Sequence, residues 1–566
     1  MKTIISLIVF AISTLMAFGQ NNFFVSPTGD DTNNGSLNTP WKTIQYGLNQ
    51  LSPGDTLNLM TGTYNEKIEI PADNIYLRNY TGNSPIIDAT GITTQNPVIL
   101  LRNRSNITIE GLEIKNNIQN DAQGIRIEGI GNNITIKNCE LHDIHFSANP
   151  NAPVNETTNA QGIIVYGTHA ITPISNLKII ANKLYNCRLG YSEGIAVNGN
   201  VDGFEITENE VYNLTNIGID IIGHEGTCPN ASYDQARNGT VKGNIIHNCI
   251  SPYATSGGIY VDGGRNIVIE NNTSYHNGYG IEIGCENVGK TTDSITVRNN
   301  IFYDNEICAL ALGGFDYPNG SGKVTNSIFC NNTCYYNDYS NSGTGEIYLS
   351  YSENTVIENN IFYVSTQGIL AYAELTQPGI TFNYNDFFAQ SGSSNFNCNW
   401  NGNAYTTYAD FVSGTATNAN SIFNDPQFVN ANVSNPNFHL QATSPCINAG
   451  NPNYTAAPGE TDIDNEVRTN GTVDCGADEY YPNTGISDHL NTEPEFELYP
   501  NPAHTYFTIK TENKINNIKV YNSIGQLQKI NFDQSIYIDI SEWSHGIYFV
   551  RIKTDKGYFT KKIMKE

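Results

Sequence analysis

SNITIEGLEIKNN (105–117) and NNITIKNCELHDI (132–144) are two copies of one element, and five more follow: SNLKIIANKLYNC (175–187), DGFEITENEVYNL (202–214), RNIVIENNTSYHN (265–277), DSITVRNNIFYDN (293–305) and ENTVIENNIFYVS (353–365). Between them falls a second element: GIRIEG (124–129), GIIVYG (162–167), GIAVNG (194–199), GIDIIG (218–223), GIYVDG (258–263) and GIEIGC (280–285). Several copies start 27 or 28 residues apart, and longer gaps mark loops inserted within a turn. The copies hold short β-branched runs with period-two alternation, broken by Asn and Gly, and none has a helical period. One such turn cannot bury its apolar side alone. Stacked turns bury a continuous core, with strands paired in parallel at ~4.8 Å. Asn at the bends tolerates left-handed backbone and can stack in a ladder that satisfies backbone groups. The expectation is an all-β chain built on a right-handed parallel β-helix over residues 22–440. A β-propeller would need four antiparallel strands per ~40 residues and recurring hairpin turns, which are missing.

Composition narrows the partners. The 566 residues carry 29 Lys+Arg against 55 Asp+Glu, a net charge of −26, and only 15% of residues are charged. An acidic surface repels phosphate, so nucleic acid is excluded as a partner. The charge is uneven: residues 510–566 hold 10 Lys+Arg and 6 Asp+Glu, so the end of the chain is a different module from the acidic body. Residues 1–19 read as a secretory signal, with Lys2, an apolar run from Ile4 to Phe18 and a small-x-small cleavage site at Ala17–Gly19. No later stretch approaches the ~20 apolar residues of a transmembrane helix. Eleven Cys in an exported chain leave at least one thiol unpaired. Those within the repeat read as small buried residues. Cys446 and Cys475, in a loop-rich stretch, are expected to form a disulfide.

The second element also indicates where chemistry sits. In G-I-x-[I/V]-x-G the Ile and Val alternate inward, so the x positions share an outer face. Successive turns present Arg126, Ile164, Ala196, Asp220, Tyr260, Glu282 and Ala311 in one column. Glu128, Tyr166, Asn198, Ile222, Asp262 and Gly284 form the next, with His224 and Glu286 in a third. Asp220, Asp262, Glu282, His224 and Glu286 are therefore expected together as catalytic candidates. Asp262 and Glu282 are one turn apart and offset by two residues, which puts their backbones roughly 8 Å apart. Two carboxyls on such a frame suit glycoside hydrolysis, and their crowding raises the pKa that a general acid needs. Tyr260 and Tyr166 are candidate stacking platforms for sugars. Asn198, Arg237 and Arg126 are further binding candidates, and the insertion 224–239 is the expected wall of a cleft.

Several stretches resemble known families. Residues 23–70 resemble the opening segment of the pectate-lyase-like superfamily of β-helix carbohydrate-active enzymes, where a capping helix (here about Ile44–Gln50) precedes the first turn, GDTLNLMTGTY. The string GGIYVDGGRNIVIENNTSYHNGYGIEIGCENVG (257–289) resembles the active-site stretch of β-helix glycoside hydrolases such as the family 120 β-xylosidases. That resemblance implies Asp262 as nucleophile and Glu282 or Glu286 as acid. Residues 441–482, with SPCINAG, DIDNEVR and DCGADEY, resemble a short module that follows such β-helices, and 483–495 is a linker by composition. From about Phe496 to residue 566, LYPNPAHTYFTI, VYNSIGQ, GIYFVRI and the basic finish KKIMKE resemble the sorting domain of the Bacteroidetes type IX secretion system. Read without the family, this end is a small β-sandwich. The resemblance implies the type IX machinery as a partner and a secreted or cell-surface location.

Poly- or oligosaccharide is thus the expected substrate, with glycoside hydrolysis the favoured chemistry and no cofactor required. A β-elimination on a uronate fits the same residues. It would use His224 or Tyr260 as base, Arg237 or Arg265 on the uronate, and Ca²⁺ held by Asp220, Asp262 and Glu282. The lack of outward Lys on the turns from 196 to 313 weighs against it. A non-catalytic glycan-binding surface protein would scatter its carboxylates and form no cleft.

Overall fold

The computed structural model describes residues 21–314, 316–482, 496–511, 515–522, 527–528, 537–554 and 557–566. The expected signal, 1–19, and linker, 483–495, lie outside the described residues. Contacts divide the chain into two compact units between Tyr481 and Pro482.

The first unit is a parallel β-helix of three long sheets, two of 13 strands and one of 15. Most turns contribute one strand to each sheet, and the register holds residue for residue: Ile134 pairs with Ile107 and Leu177, and Leu177 with Phe204. Inward Ile, Val, Leu and Phe form one apolar core from Val25 to Phe411. Branched side chains fit this role because they pack well on a pleated surface. The helix Ile44–Gln50 lays Ile44 and Leu48 over one end of the core, and the helix Tyr408–Thr415 places Phe411 at the other.

The bends explain the Asn content. Asn182, Asn209, Asn244, Asn272, Asn300, Asn332, Asn360 and Asn385 stack in one buried column. In each step the Oδ1 of one Asn accepts the backbone N–H of the Asn a turn before, at 2.9–3.0 Å. The residue before each is left-handed, as in Asn271, Asn299, Asn331 and Asn359. A ladder of side-chain amides thus replaces the sheet hydrogen bonds that a corner interrupts.

Residues 441–481 pack on the flank of the coils within the same unit. Buried Glu460 accepts from Arg298 at 2.9 Å, Asn299 at 3.0 Å and Tyr454 at 2.6 Å. The expected Cys446–Cys475 disulfide is not formed: both thiols are buried and free. The Cys446 thiol donates to Asp386 Oδ2 at 3.1 Å and the Cys475 thiol to the Tyr384 carbonyl at 3.3 Å, so each has its own acceptor.

The second unit, described by itself, has a three-stranded and a four-stranded antiparallel sheet. They share a core that includes Phe507, Ile509, Val520, Val550, Ile552 and Ile563.

Candidate active site

Strands Ala122–Glu128, Ala160–Gly167, Ile195–Gly199, Ile219–Ile222, Gly257–Asp262 and Tyr279–Gly284 are neighbours in one sheet. Their pairing aligns Arg126, Ile164, Ala196, Asp220, Tyr260, Glu282 and Ala311 in a single column. Asp262 pairs with Gly284, one alternate position further along. The outer face of this sheet is the floor of a cleft of about 1010 Å³, lined by Asp220, Asp262, Glu282, Glu286 and Tyr260 as well as Asn198 and Tyr166.

These carboxyls sit in different surroundings. Asp220 and Asp262 are buried, at 3% and 4% exposure, Glu282 is half-buried and Glu286 is exposed at the rim. Asp262 Oδ1 accepts the Glu286 backbone N–H at 2.7 Å, a bond that favours its charged form. Burial nevertheless pushes Asp262 well above the usual carboxylate range, with Glu286 adding to the push. Burial also raises Asp220, reinforced by Glu193 and Asp262, and one of its oxygens, Oδ1, has no partner. Glu282 is pushed up to about 8, by burial first and the Glu286 carboxylate second. Among the described residues that line the cleft there is no Lys, Arg or His to relieve this crowding.

Other expected site residues are elsewhere or do something different. His224 is outside this cleft and lines a smaller cavity with Lys290 and Asp234. The strand ends at Ile222, and His224, with φ of 70°, donates its backbone N–H to the Asp234 carbonyl, so the two-residue alternation stops before reaching it. Burial lowers its pKa, and its Nε2 faces the Thr291 carbonyl at 3.3 Å. Arg237 is also absent from the cleft. It opens the next sheet's strand, pairs with Asp202 at 3.1 Å and donates to Asn200 Oδ1 at 3.0 Å, which makes it a buried brace. Tyr260 lines the cleft, but its ring is only 5% exposed, so it offers its hydroxyl, 3.3 Å from Glu286 Oε1, and no stacking face. Arg126 covers one face of Tyr166 at 5.2 Å and pairs with Glu128.

Sequence reasoning missed Glu193, a half-buried carboxyl in the cleft that is pushed up to about 8 by burial and by Glu286. A signal existed. The residue before each Gly-Ile of the second element runs Gln123, Gln161, Glu193, Ile217, Gly257, Tyr279, and all of these except Gln123 and Gly257 line the cleft.

For calcium, three or more oxygens must converge. Among the described residues, the triads whose donor atoms come within 4.8 Å are His439/Asp464/Asp478 and Asp462/Asp464/Glu466, both outside the cleft.

A model of the family described as Pel9A-like, right handed beta helix region matches residues 23–359. An uncharacterized protein of Bacillus subtilis (strain 168), YwoF, is 31% identical over 443 residues, 75% of this chain and 91% of its own. The chain belongs to the Pel9A-like right-handed β-helix family. Every cleft carboxyl named above falls within its Pel9A-like region. Among solved structures, XylC in complex with xylose is similar with a TM-score of 0.47 at 11% identity, over 72% of this chain and 87% of that one. Pectate lyase Pel9A gives 0.39 at 18% identity, over 82% and 97%. A GH136 lacto-N-biosidase from Eubacterium ramulus gives 0.40 at 15% identity, over 66% and 64%. After the Pel9A-like region, a secretion system C-terminal sorting domain matches residues 497–566. It marks the chain for type IX secretion to the cell surface or outside. No helix among the described residues is long and apolar enough to cross a membrane.

Proposed function

We propose that this protein hydrolyses glycosidic bonds in a glycan outside the cell, with Glu282 as general acid and Asp262 as the facing carboxylate. The observation that carries this reading is the unequal environment of two carboxyls in one cleft. Burial raises both, Glu282 to about 8 and Asp262 well above the usual carboxylate range, but of the two it is Asp262 that accepts a backbone N–H, which favours its charged form. Glu282 gives its proton to the leaving glycosidic oxygen as the bond to the anomeric carbon breaks. Asp262 stabilises or captures the developing positive charge on that carbon, and a water oxygen completes the exchange, its proton returning to a carboxylate. Tyr260, beside Glu286, and the unpartnered Asp220 oxygen would meet sugar hydroxyls.

The cleft's charge also bears on the substrate. An elimination needs a cation to neutralise the uronate carboxylate, and the described lining supplies no basic side chain. A crowd of acids favours a neutral sugar instead.

The test is product mass and variant kinetics on a panel of neutral and uronate oligosaccharides. Hydrolysis adds one water per cut. Glu282→Gln and Asp262→Asn are each expected to lose on the order of 10³-fold in kcat with the fold intact. Products carrying a 4,5-unsaturated uronate, or full turnover by both variants, would overturn the reading.

A further inference from the structure

Beyond the carboxylates the same sheet carries a line of polar atoms without partners. Buried polar groups are ordinarily hydrogen-bonded, so orphans gathered along one surface mark where a ligand's own groups belong. Starting from the acids, the line runs through Asp220 Oδ1 and Asn198 Oδ1 to Arg126 Nε and Gln123 Oε1. The last two lie in a second cavity, of about 340 Å³, which shares Tyr166 and Asp121 with the main cleft.

The chemistry of that far end is specific. Gln123 is 4% exposed. Its amide orientation is set by a relay in which Gln123 Nε2 donates to Gln161 Oε1 at 3.3 Å, Gln161 Nε2 to Ser192 Oγ at 3.1 Å, and Ser192 Oγ to Asn159 Oδ1 at 2.9 Å. The acceptor Oε1 is what remains free. Arg126 is held by Glu128 and by the Tyr166 ring, and its donor Nε remains free. One donor and one acceptor in the same cavity match a sugar hydroxyl, which is both. A carboxylate would meet Gln123 Oε1 and the Glu128 charge unfavourably.

Position supplies the length. Arg126 is three strands from Asp220, through Ile164 and Ala196, and four from the strand of Asp262, which is ~19 Å at the spacing of parallel strands. One strand step is close to one sugar residue of an extended chain. Ile164, Ala196 and Ile222 form an apolar patch between the two ends, suited to the C–H faces of sugars. We infer that Gln123, Arg126 and Tyr166 form a distal subsite for a neutral sugar hydroxyl, so that the ligand is an oligosaccharide chain of about five units lying along the helix axis. This rests on the glycan reading of the cleft made above.

The test uses full-length protein carrying Glu282→Gln, titrated calorimetrically with xylo-, gluco-, manno- and galacto-oligosaccharides from dimer to hexamer and with oligogalacturonates of the same lengths. Affinity is expected to rise up to about the pentamer for a neutral series and then level. Arg126→Met, and separately Gln123→Leu, should weaken the pentamer about tenfold while leaving the dimer unchanged, the loss of one charge-assisted or buried hydrogen bond. Arg126→Met keeps the test valid if the buried Gln123 variant folds poorly. Length-independent affinity, an equal loss for dimer and pentamer, preference for the uronate series, or no binding by any member would overturn the subsite. If the pentamer binds as expected but wild-type protein leaves it uncut, the hydrolase reading falls and the subsite stands. If it is cut but affinity is flat with length, the reverse holds.

Discussion

Glu282 keeps its proton into the neutral range because burial and the Glu286 carboxylate both oppose its ionisation. As the acid of the proposed reaction it is competent below about 8 and spent above it, so kcat/KM should fall on the alkaline side near that pH. Glu286→Gln removes the neighbouring charge and leaves burial in place. The alkaline limb should therefore move to lower pH without reaching that of an ordinary glutamate, and an unmoved limb in the pH–rate profile would refute the coupling. The same groups affect stability. Glu193 and Glu282 titrate near 8 in the folded chain against an ordinary 4.5, so between those values the folded state holds protons that the unfolded state has released. Stability from these groups is present at acidic pH and is lost as pH rises through about 8. Thermal melting should fall from mildly acidic to mildly alkaline pH, and Glu193→Gln with Glu282→Gln should flatten that slope.

The strand and its corner are the scale at which the sequence reads most directly. Inside a strand, period-two alternation settles which side chains face out, and the column from Arg126 to Glu282 follows from it residue for residue. Beyond a strand's end the alternation has no force. Glu286 lies past Gly284 yet is tied back by its N–H to Asp262, whereas His224 leaves with the loop that pairs Gly223 with Gln235. Glu193 precedes its strand, so strand logic did not reach it. The corners follow a different rule, the spacing of Asn. Asn272 accepts from Asn244 N–H and donates to the Val241 carbonyl and to Asn300 Oδ1, each at 2.9 Å. Asn272→Leu would orphan the buried Asn244 N–H and the Val241 carbonyl, at a cost of about 3 kcal/mol. Denaturant unfolding should show this loss in midpoint. A loss below about 0.5 kcal/mol would mean that the ladder contributes little beyond filling the corner.

At the scale of the whole molecule, the flank module and the sorting domain bear differently on the coils. Residues 441–481 belong to the same compact unit, and one of their attachments is Glu460, its side chain wholly buried and facing Arg298 and Asn299. This was not legible beforehand, because the partners are about 160 residues apart in sequence and no local pattern announces them. Glu460→Ala leaves Arg298 with Glu270 alone and should cost about 3 kcal/mol, read as a lower melting temperature and early proteolysis within 441–482. The sorting domain is a separate unit with its own core. Removing residues 497–566 takes away none of the side chains that build the cleft or close the ends of the coil stack. The shortened protein should therefore melt at the same temperature as the first unit of the full chain and turn over oligosaccharide at the same rate. In the producing cell, however, it should accumulate behind the outer membrane instead of reaching the surface, as cell fractionation would show. A shortened chain that still reached the surface would mean that export does not depend on this domain. A shortened chain that lost its melting transition would mean that the coils depend on the sorting domain for stability, against their division into two compact units.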